Sequence, residues 1–327
     1  MFITRTPMRI SIGGGGTDLP SYYREFGGFV ISAAINKYTY VSANRSFNPG
    51  YILKYSQIET AHNRSEIHHR LIREVFEVFD IQSPIEVVSV ADIPSGTGLG
   101  SSGAFLVGLI HVLHAYKRHP VNPEILAQEA VEIEMNRLKE PVGKQDQYIA
   151  AYGGLLCQDY HQDDSVHVSN LQMGESAIQD FRHSLMLFYI GTTRESSSIL
   201  IDQKVKSESG DREMLESLHF VKQLGYEIRS ILEAGQIDQF GKLMHEHWLR
   251  KRGRSKGMSN SRIDDLYELG LNAGGAFGGK LVGAGGSGFL LFQTHDRARL
   301  RRTMHDAGVT EMDFAFDFDG SIVLARS

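Results

Sequence analysis

The segment Pro94-Ser95-Gly96-Thr97-Gly98-Leu99-Gly100-Ser101-Ser102-Gly103 combines alternating glycines with hydroxyl side chains. Glycine admits positive φ and lets the backbone close on an anion, and a helix start offers unpaired N–H groups at its positive dipole end. The apolar run Ile85 to Val90 precedes the segment, and a longer one, Ser101 to Tyr116, follows it. The predicted order is strand, glycine loop, helix, which is the context of a phosphate site. The segment is not a Walker loop, because no Gly-Lys-Ser/Thr follows. Nor is it a Rossmann fingerprint, because a proline leads in and hydroxyls replace the later glycines. On spacing alone, a flexible loop with a serine helix cap accounts for it as well. Two further glycine runs bracket it in the chain, Gly13 to Gly16 followed by Thr17-Asp18, and Gly283 to Gly288.

Taken in order, three segments resemble the three signatures of the GHMP kinases (galactokinase, homoserine kinase, mevalonate kinase, phosphomevalonate kinase). Arg5-Thr6-Pro7-Met8-Arg9 with Gly13-Gly14-Gly15-Gly16-Thr17-Asp18 is similar to the first, and Pro94 to Gly103 to the second. Lys280-Leu281-Val282-Gly283-Ala284-Gly285-Gly286-Ser287-Gly288-Phe289 is similar to the third, with Ser287 where many relatives have glycine. Within the family the chain looks most like heptose 7-phosphate kinases and their fucokinase-like relatives. That likeness rests on the glycine run before Thr17-Asp18, on Gly143-Lys144-Gln145-Asp146-Gln147-Tyr148 and on Gly274-Gly275-Ala276. Galactokinase proper carries Gly-Glu-His where this chain has Gly14-Gly15-Gly16.

The resemblance implies a set of roles. Asp146 matches the carboxylate beside the acceptor hydroxyl that takes its proton during phosphoryl transfer, although by spacing alone it could cap the helix starting near Gln147. Arg9 matches the basic position that holds the transferring phosphoryl group and keeps Asp146 ionised. Asp18 matches the sugar-binding aspartate, with Gly15, Gly16 and Thr17 beside it; its plainer reading is an Asx-turn. ATP would lie on Pro94, Ser95, Gly96, Gly98, Leu99, Gly100, Ser101, Ser102 and Gly103, with Gly285 and Gly286 packing against the phosphate loop. Mg2+ would bridge the phosphates from the Ser102 hydroxyl and the Glu134 carboxylate, with Glu132 the nearest rival. The implied reaction is transfer of the ATP γ-phosphoryl to the anomeric hydroxyl of D-glycero-D-manno-heptose 7-phosphate, giving the 1,7-bisphosphate. A fucokinase-like enzyme acting on an unphosphorylated sugar is the alternative, and a non-catalytic ATP and sugar sensor on the same fold is an alternative of another class. A 7-phosphate would require a cationic pocket, for which the candidates are Arg24, Arg194 and the run Trp248 to Lys256, with five positive charges in nine residues. Such a run is also what a solvated helix end looks like.

These side chains must be positioned by elements that can be read from periodicity. Strands are predicted over 4–12, 29–43, 85–90, 155–160 and 185–190, then 280–282, 288–293, 312–316 and 321–324. Ile67, Leu71, Val75 and Val78 follow helical spacing. Helices are also predicted over 101–116, 123–138, 215–233, 237–249 and 297–307, with Gly235 as a C-terminal stop and a turn at Gln162 to Ser165. The implied fold is α+β in two domains, a ribosomal-protein-like GHMP N-terminal domain over 1–175 and a ferredoxin-like C-terminal domain over 176–327, with the site in the cleft. The 327 residues are 41% hydrophobic and 22% charged with a net charge of −5, which gives no global field for nucleic acid or an anionic membrane. A single cysteine, Cys157, and an opening without a signal-peptide core point to the cytoplasm. The partners expected are a small sugar phosphate and ATP, with no nucleic acid and no membrane, in a monomer or homodimer. The fourteen histidines lack the spacing of a zinc site.

Overall fold

The computed structural model describes residues 1–191, 197–253, 257–283, 285–286 and 288–326. The chain opens with β1 (Phe2–Gly13), a short helix α1 (Pro20–Phe26) and β2 (Gly28–Asn44). β3 (Tyr51–Lys54), β4 (Ile58–Ala61), α2 (Arg70–Val78) and β5 (Ile85–Ala91) follow. β2 is the spine of the first sheet. Its first half pairs with β6 (Leu155–Tyr160), its second half with β5, and nearly its whole length with β1, so one strand carries three partners. β7 (Val166–Asn170) extends the sheet beyond β6 through the hairpin expected at Gln162 to Ser165. The order on the other side is β12-β1-β2-β5-β3-β4, in which β12 (Ile322–Ala325) comes from the far end of the chain.

Helices α3 (Ser101–Lys117), α4 (Pro123–Val131) and α5 (Gln145–Tyr152) lie on one side of this sheet, α3 and α5 against its strands and α4 against both helices. α3 is apolar around most of its circumference, which fits a helix enclosed by β1, β2, α4 and α5. The helix expected over 123–138 is helical throughout, but its second half, Glu132–Arg137, winds as a π-helix. The looser turn alters which residues face the cleft, and π-turns often mark functional positions.

A second sheet follows α6 (Glu175–Ser184). Its strands are β8 (Leu185–Tyr189), β9 (Gly278–Leu281), β10 (Phe289–Gln293) and β11 (Thr310–Met312), in the order β11-β8-β10-β9 and all antiparallel. Between β8 and β9 run α7 (Ser197–Glu208), α8 (Arg212–Glu233), α9 (Phe240–Arg252) and α10 (Ser261–Asn272); α11 (Arg297–Asp306) joins β10 to β11. Counting β8 as the first strand, the order is 4-1-3-2 in a βαββαβ path, the ferredoxin-like arrangement. Phe188, Trp248, Tyr267, Phe292, Leu300 and Met304 form its own core. The expected strand over 312–316 ends early because the chain changes sheets there. Phe316 bridges to Ile35, and the amides of Asn36 and Asp317 bond Ala315 and Ala34. Gly235 closes α8 as expected, at φ 73°, with the Gln236 amide on the Ile231 carbonyl.

The two sheets are not independent bodies. Leu187, Val282, Phe289 and Leu291 of the second share one apolar cluster with Met8, Ile10, Ile12 and Phe29 of the first, with α8 residues Leu224 and Ile228 between them. Cys157 is buried and unpaired, and no helix among the described residues is long and apolar enough to cross a membrane.

Candidate active site

A cavity of about 630 Å3 opens between the two sheets, lined by β1, the 96–103 loop, the start of α5, and β9 with the residues that follow it. β1 carries Arg9 to the cleft edge, where its backbone N–H bonds the Leu99 carbonyl at 2.9 Å and so ties the glycine loop to the strand. The guanidinium lies against Asp146 as a fork, Nε to Oδ1 at 2.7 Å and Nη2 to Oδ2 at 3.0 Å, while Nη1 donates to the Gly98 carbonyl. Its side chain is 9% exposed and that of Asp146 28%. The cation therefore sits behind and the carboxylate looks out. α5 begins at Gln145, so Asp146 lies in the first turn and faces Arg9 rather than capping the helix. A bidentate, charge-assisted pair is a strong way to fix a carboxylate's orientation.

Asp18 lies deeper. It accepts from the amides of Gly16 at 3.1 Å and Gln145 at 3.2 Å. Burial, and then the nearby Asp146 charge, push its pKa above the usual carboxylate range. Gly143 leaves it room: a Cβ there would fall 1.9 Å from Asp18 Oδ2. Gly15 and Gly16 line the cleft beside it, but Thr17 does not. The Thr17 hydroxyl is fully buried, shared between the carbonyls of Gly14 and Phe29, and accepts from the Phe29 amide. It pins the glycine turn to β2.

Glu134, on the π-turn, is buried and accepts from Ser102 Oγ at 3.3 Å and Gln147 Nε2 at 2.6 Å. Burial is the main cause that raises its pKa to about 7. Glu132 is not in the cleft lining and bonds Asn136 instead.

The glycine loop expected to bind phosphate holds Gly96, Gly98 and Gly100 at φ 76°, 83° and 75° and delivers Ser101, Ser102 and Gly103 as the open first turn of α3. Of the expected nucleotide-binding residues, Pro94, Ser95 and Leu99 do not line the cavity. Ser95 is solvent-facing, the Pro94 carbonyl accepts from Thr97 Oγ1, and Leu99 is a core residue that contributes only its carbonyl. The third glycine run meets the loop through Gly283, not through the pair singled out in the sequence. A Cβ on Gly283 would stand 2.5 Å from Gly98 Cα, whereas Gly285 packs on Met258 and Gly286 bonds its carbonyl. Ala284 and Ser287 lie outside the described residues.

Among the cationic candidates, Arg24 is exposed and paired with Asp164 at 2.9 Å. Arg250 lies over the Phe220 ring, and Arg252 faces Asp264 at 3.8 Å. Among the described residues of that run, Lys251 alone lines the cleft, donating to the Gly283 carbonyl. Arg194, Arg254 and Lys256 lie outside the described residues. Gln145 and Lys280, which stand in the matched motifs but carry no role in them, and Gln203, outside any motif, also line the cavity. Gln203, from α7, donates to the Gly16 carbonyl across 187 residues of chain, a pairing that no local pattern signals.

Comparison with known proteins agrees with this architecture. Residues 66–154 match the family model of the GHMP kinases N terminal domain and residues 228–309 that of the GHMP kinases C terminal, together about half of the chain. A D-glycero-alpha-D-manno-heptose 7-phosphate kinase of Campylobacter jejuni is 27% identical over 97% of both chains. A bifunctional fucokinase/GDP-fucose pyrophosphorylase of Arabidopsis thaliana is 23% identical over 90% of this chain, which spans only 30% of that protein. Two solved structures share the fold. A D-glycero-D-manno-heptose 1-phosphate kinase of Bacteroides thetaiotaomicron has a TM-score of 0.81 at 22% identity, covering 99% of each chain. The Lactococcus lactis galactokinase complexed with galactose has 0.77 at 15%, covering 98% of this chain and 94% of that one. With a glycine loop, a forked carboxylate and two domain models aligned along one chain, this protein belongs to the GHMP kinases, enzymes that transfer a phosphoryl group from ATP.

Proposed function

We propose that the chain phosphorylates the anomeric hydroxyl of D-glycero-D-manno-heptose 7-phosphate with ATP, giving the 1,7-bisphosphate, and does so in the cytoplasm. The observation that carries the chemistry is the Arg9–Asp146 fork, set between the first turn of α3 and the buried Asp18. The acceptor is suggested by the near full-length likeness to the Campylobacter jejuni enzyme.

In this reading the backbone N–H groups of 100–103 hold the ATP phosphates at the α3 start. Asp18 and the Gly15-Gly16 turn hold sugar hydroxyls, with Asp18 accepting from a vicinal pair. The attacking hydroxyl hydrogen-bonds to Asp146. As its oxygen bonds to the γ-phosphorus, its proton passes to that carboxylate and ADP leaves with the electron pair. Arg9 fixes the carboxylate and turns its remaining N–H groups toward the transferring oxygens.

A magnesium ion fits the residues present. Glu134 is buried with no cation paired to it among the described residues, and Ser102 supplies a second hard oxygen on the same wall. When bound, it would neutralise charge on the ATP phosphates.

One observation favours a second acceptor. Arg24, a sequence candidate for a phosphate pocket, and Lys144, beside Asp146 in sequence, are both held by Asp164, which leaves neither open to a second phosphate; an unphosphorylated sugar such as fucose needs none. Release of ADP measured with ATP and magnesium on the heptose 7-phosphate, its unphosphorylated parent, fucose, galactose and mannose separates the readings. Preference for the 7-phosphate supports the heptose assignment, and turnover only on a free sugar removes it.

A further inference from the structure

Lys280 stands on β9, three residues before the glycine that touches the phosphate loop. Its side chain is turned away from bulk water, with the residue 2% exposed, and it lines the cleft. Among the described residues its ammonium makes one hydrogen bond, Nζ to the Ile12 carbonyl at 2.9 Å, and no carboxylate lies within ion-pair reach. Ile12 immediately precedes the glycine turn at the acceptor end of the cleft, while Gly283 abuts Gly98, whose carbonyl holds Arg9. Lys280 is thus placed between the two ends of the reaction.

A buried ammonium with two of its three donors unused among the described residues is unfavourable to the fold by itself. Its charged neighbours make matters worse: after burial, Lys251 and Arg9 are what push its pKa well below the ordinary lysine value. Arg9 is answered by Asp146, but Lys280, buried on the cleft wall, meets no carboxylate within ion-pair reach among the described residues, and such an ammonium describes a site completed by an anion from outside. The transferring phosphoryl group, with charge spread over three equatorial oxygens, is the anion this cleft receives.

We propose that Lys280 is a catalytic residue whose ammonium, opposite Arg9, donates hydrogen bonds to the non-bridging oxygens of the γ-phosphoryl group during transfer. It gives up no proton: the bond to the β-phosphate oxygen breaks, the bond to the acceptor oxygen forms, and the hydroxyl proton goes to Asp146. The inference rests on phosphoryl transfer from ATP and is indifferent to which sugar accepts it.

The test compares the wild type with Lys280→Met, close in length but neutral, and Lys280→Arg. On whichever acceptor is turned over, Lys280→Met should lower kcat about 100-fold or more, the scale of losing one preorganised donor, with the acceptor KM within about threefold. Lys280→Arg should recover part of that loss. Without any acceptor, the preference for ATP over ADP in equilibrium binding should fall about tenfold in Lys280→Met, because only ATP carries the group that Lys280 meets. Unchanged kcat and an unchanged ATP-to-ADP ratio in a folded variant overturn the proposal. If Lys280→Met does not fold by circular dichroism, calorimetry of the wild type at pH 9 in buffers of different ionisation enthalpy decides. More proton uptake with ATP than with ADP supports it, and equal uptake overturns it. Failure of the heptose reading alone would leave the ATP-to-ADP result standing.

Discussion

Asp146 and Arg9 hold one another in place, so their loss should act on chemistry more than on nucleotide affinity. Asp146→Asn keeps the shape and removes the proton acceptor, and Arg9→Ala removes the fork. Each should lower kcat by roughly 100- to 10,000-fold, the range for a positioned general base or a charge-stabilising donor, with ATP binding within a few-fold. Single-turnover kinetics beside equilibrium ATP titration would check this, and near-normal turnover in both variants would remove the assigned roles. Glu134 makes a pH-dependent case. Its folded pKa of about 7 lies above the ordinary glutamate value of 4.5, so folding favours its protonated form. That contribution is fully present below pH 4.5 and is lost as pH rises through 7. The protein without magnesium and nucleotide should therefore lose roughly 3 kcal/mol over that window at this one site. Glu134→Gln should flatten the stability curve, which urea unfolding between pH 4.5 and 8 would show, and an equal slope in both proteins would discount the site. Residues matched to a signature were legible only as a group: Asp18 and Ser102 reach the cleft, whereas Thr17 and Leu99, from the same motifs, serve packing. A motif in one dimension does not say which of its members face inward.

At the scale of elements, long periodic segments were plain in the sequence and the joints between them were not. β6 and α3 fall almost where periodicity places them, because burial on defined faces leaves a clear pattern. The switch of 313–317 from one sheet to the other, and the π-turn carrying Glu134, depend on partners hundreds of residues away or on a single extra backbone position. α7 has weak amphipathic character and owes its place to Gln203 on Gly16 and Ser207 on the Ser21 carbonyl. Close approaches between elements are testable through their glycines. Gly283, at φ 84° and pressed on Gly98, cannot accept a side chain without moving the phosphate loop. Gly283→Ala should raise the KM for ATP by about tenfold or more, whereas Gly253→Ala, with no heavy atom within 4 Å of the new Cβ and a helical φ of −86°, should leave it unchanged. Equal KM values in the two variants would mean that the contact between the second sheet and the loop carries no weight in nucleotide binding. Gly143→Ala probes the other end of the cleft. Its Cβ would displace Asp18, so the acceptor KM should rise while ATP affinity holds, as separate titrations of the two substrates would show.

For the whole molecule, the question is whether two sheets with a cleft between them melt as one body. The apolar cluster that joins Met8 and Phe29 to Leu187 and Phe289 runs beneath the cleft, and the last strand of the chain returns to the first sheet after the second is complete. Neither sheet can unfold without exposing the shared apolar surface of the other, which costs about 25 cal/mol per Å2. A single cooperative transition is therefore expected even without ligand. ATP bound between the α3 start and the Gly283 contact would bridge both sides, and at 100 times its Kd it would add about 2.7 kcal/mol. Unfolding entropy near 2.1 cal/mol/K per residue converts that into a rise of about 4 °C in Tm for a chain of this length. Asp146→Asn should show the same rise, since it removes the proton acceptor and leaves the phosphate cradle intact, and this separates binding from turnover in one calorimetric series. Two resolved transitions, with only the first moved by ATP, would instead mean that the nucleotide belongs to the first sheet alone and that the Gly98–Gly283 contact does not couple the halves.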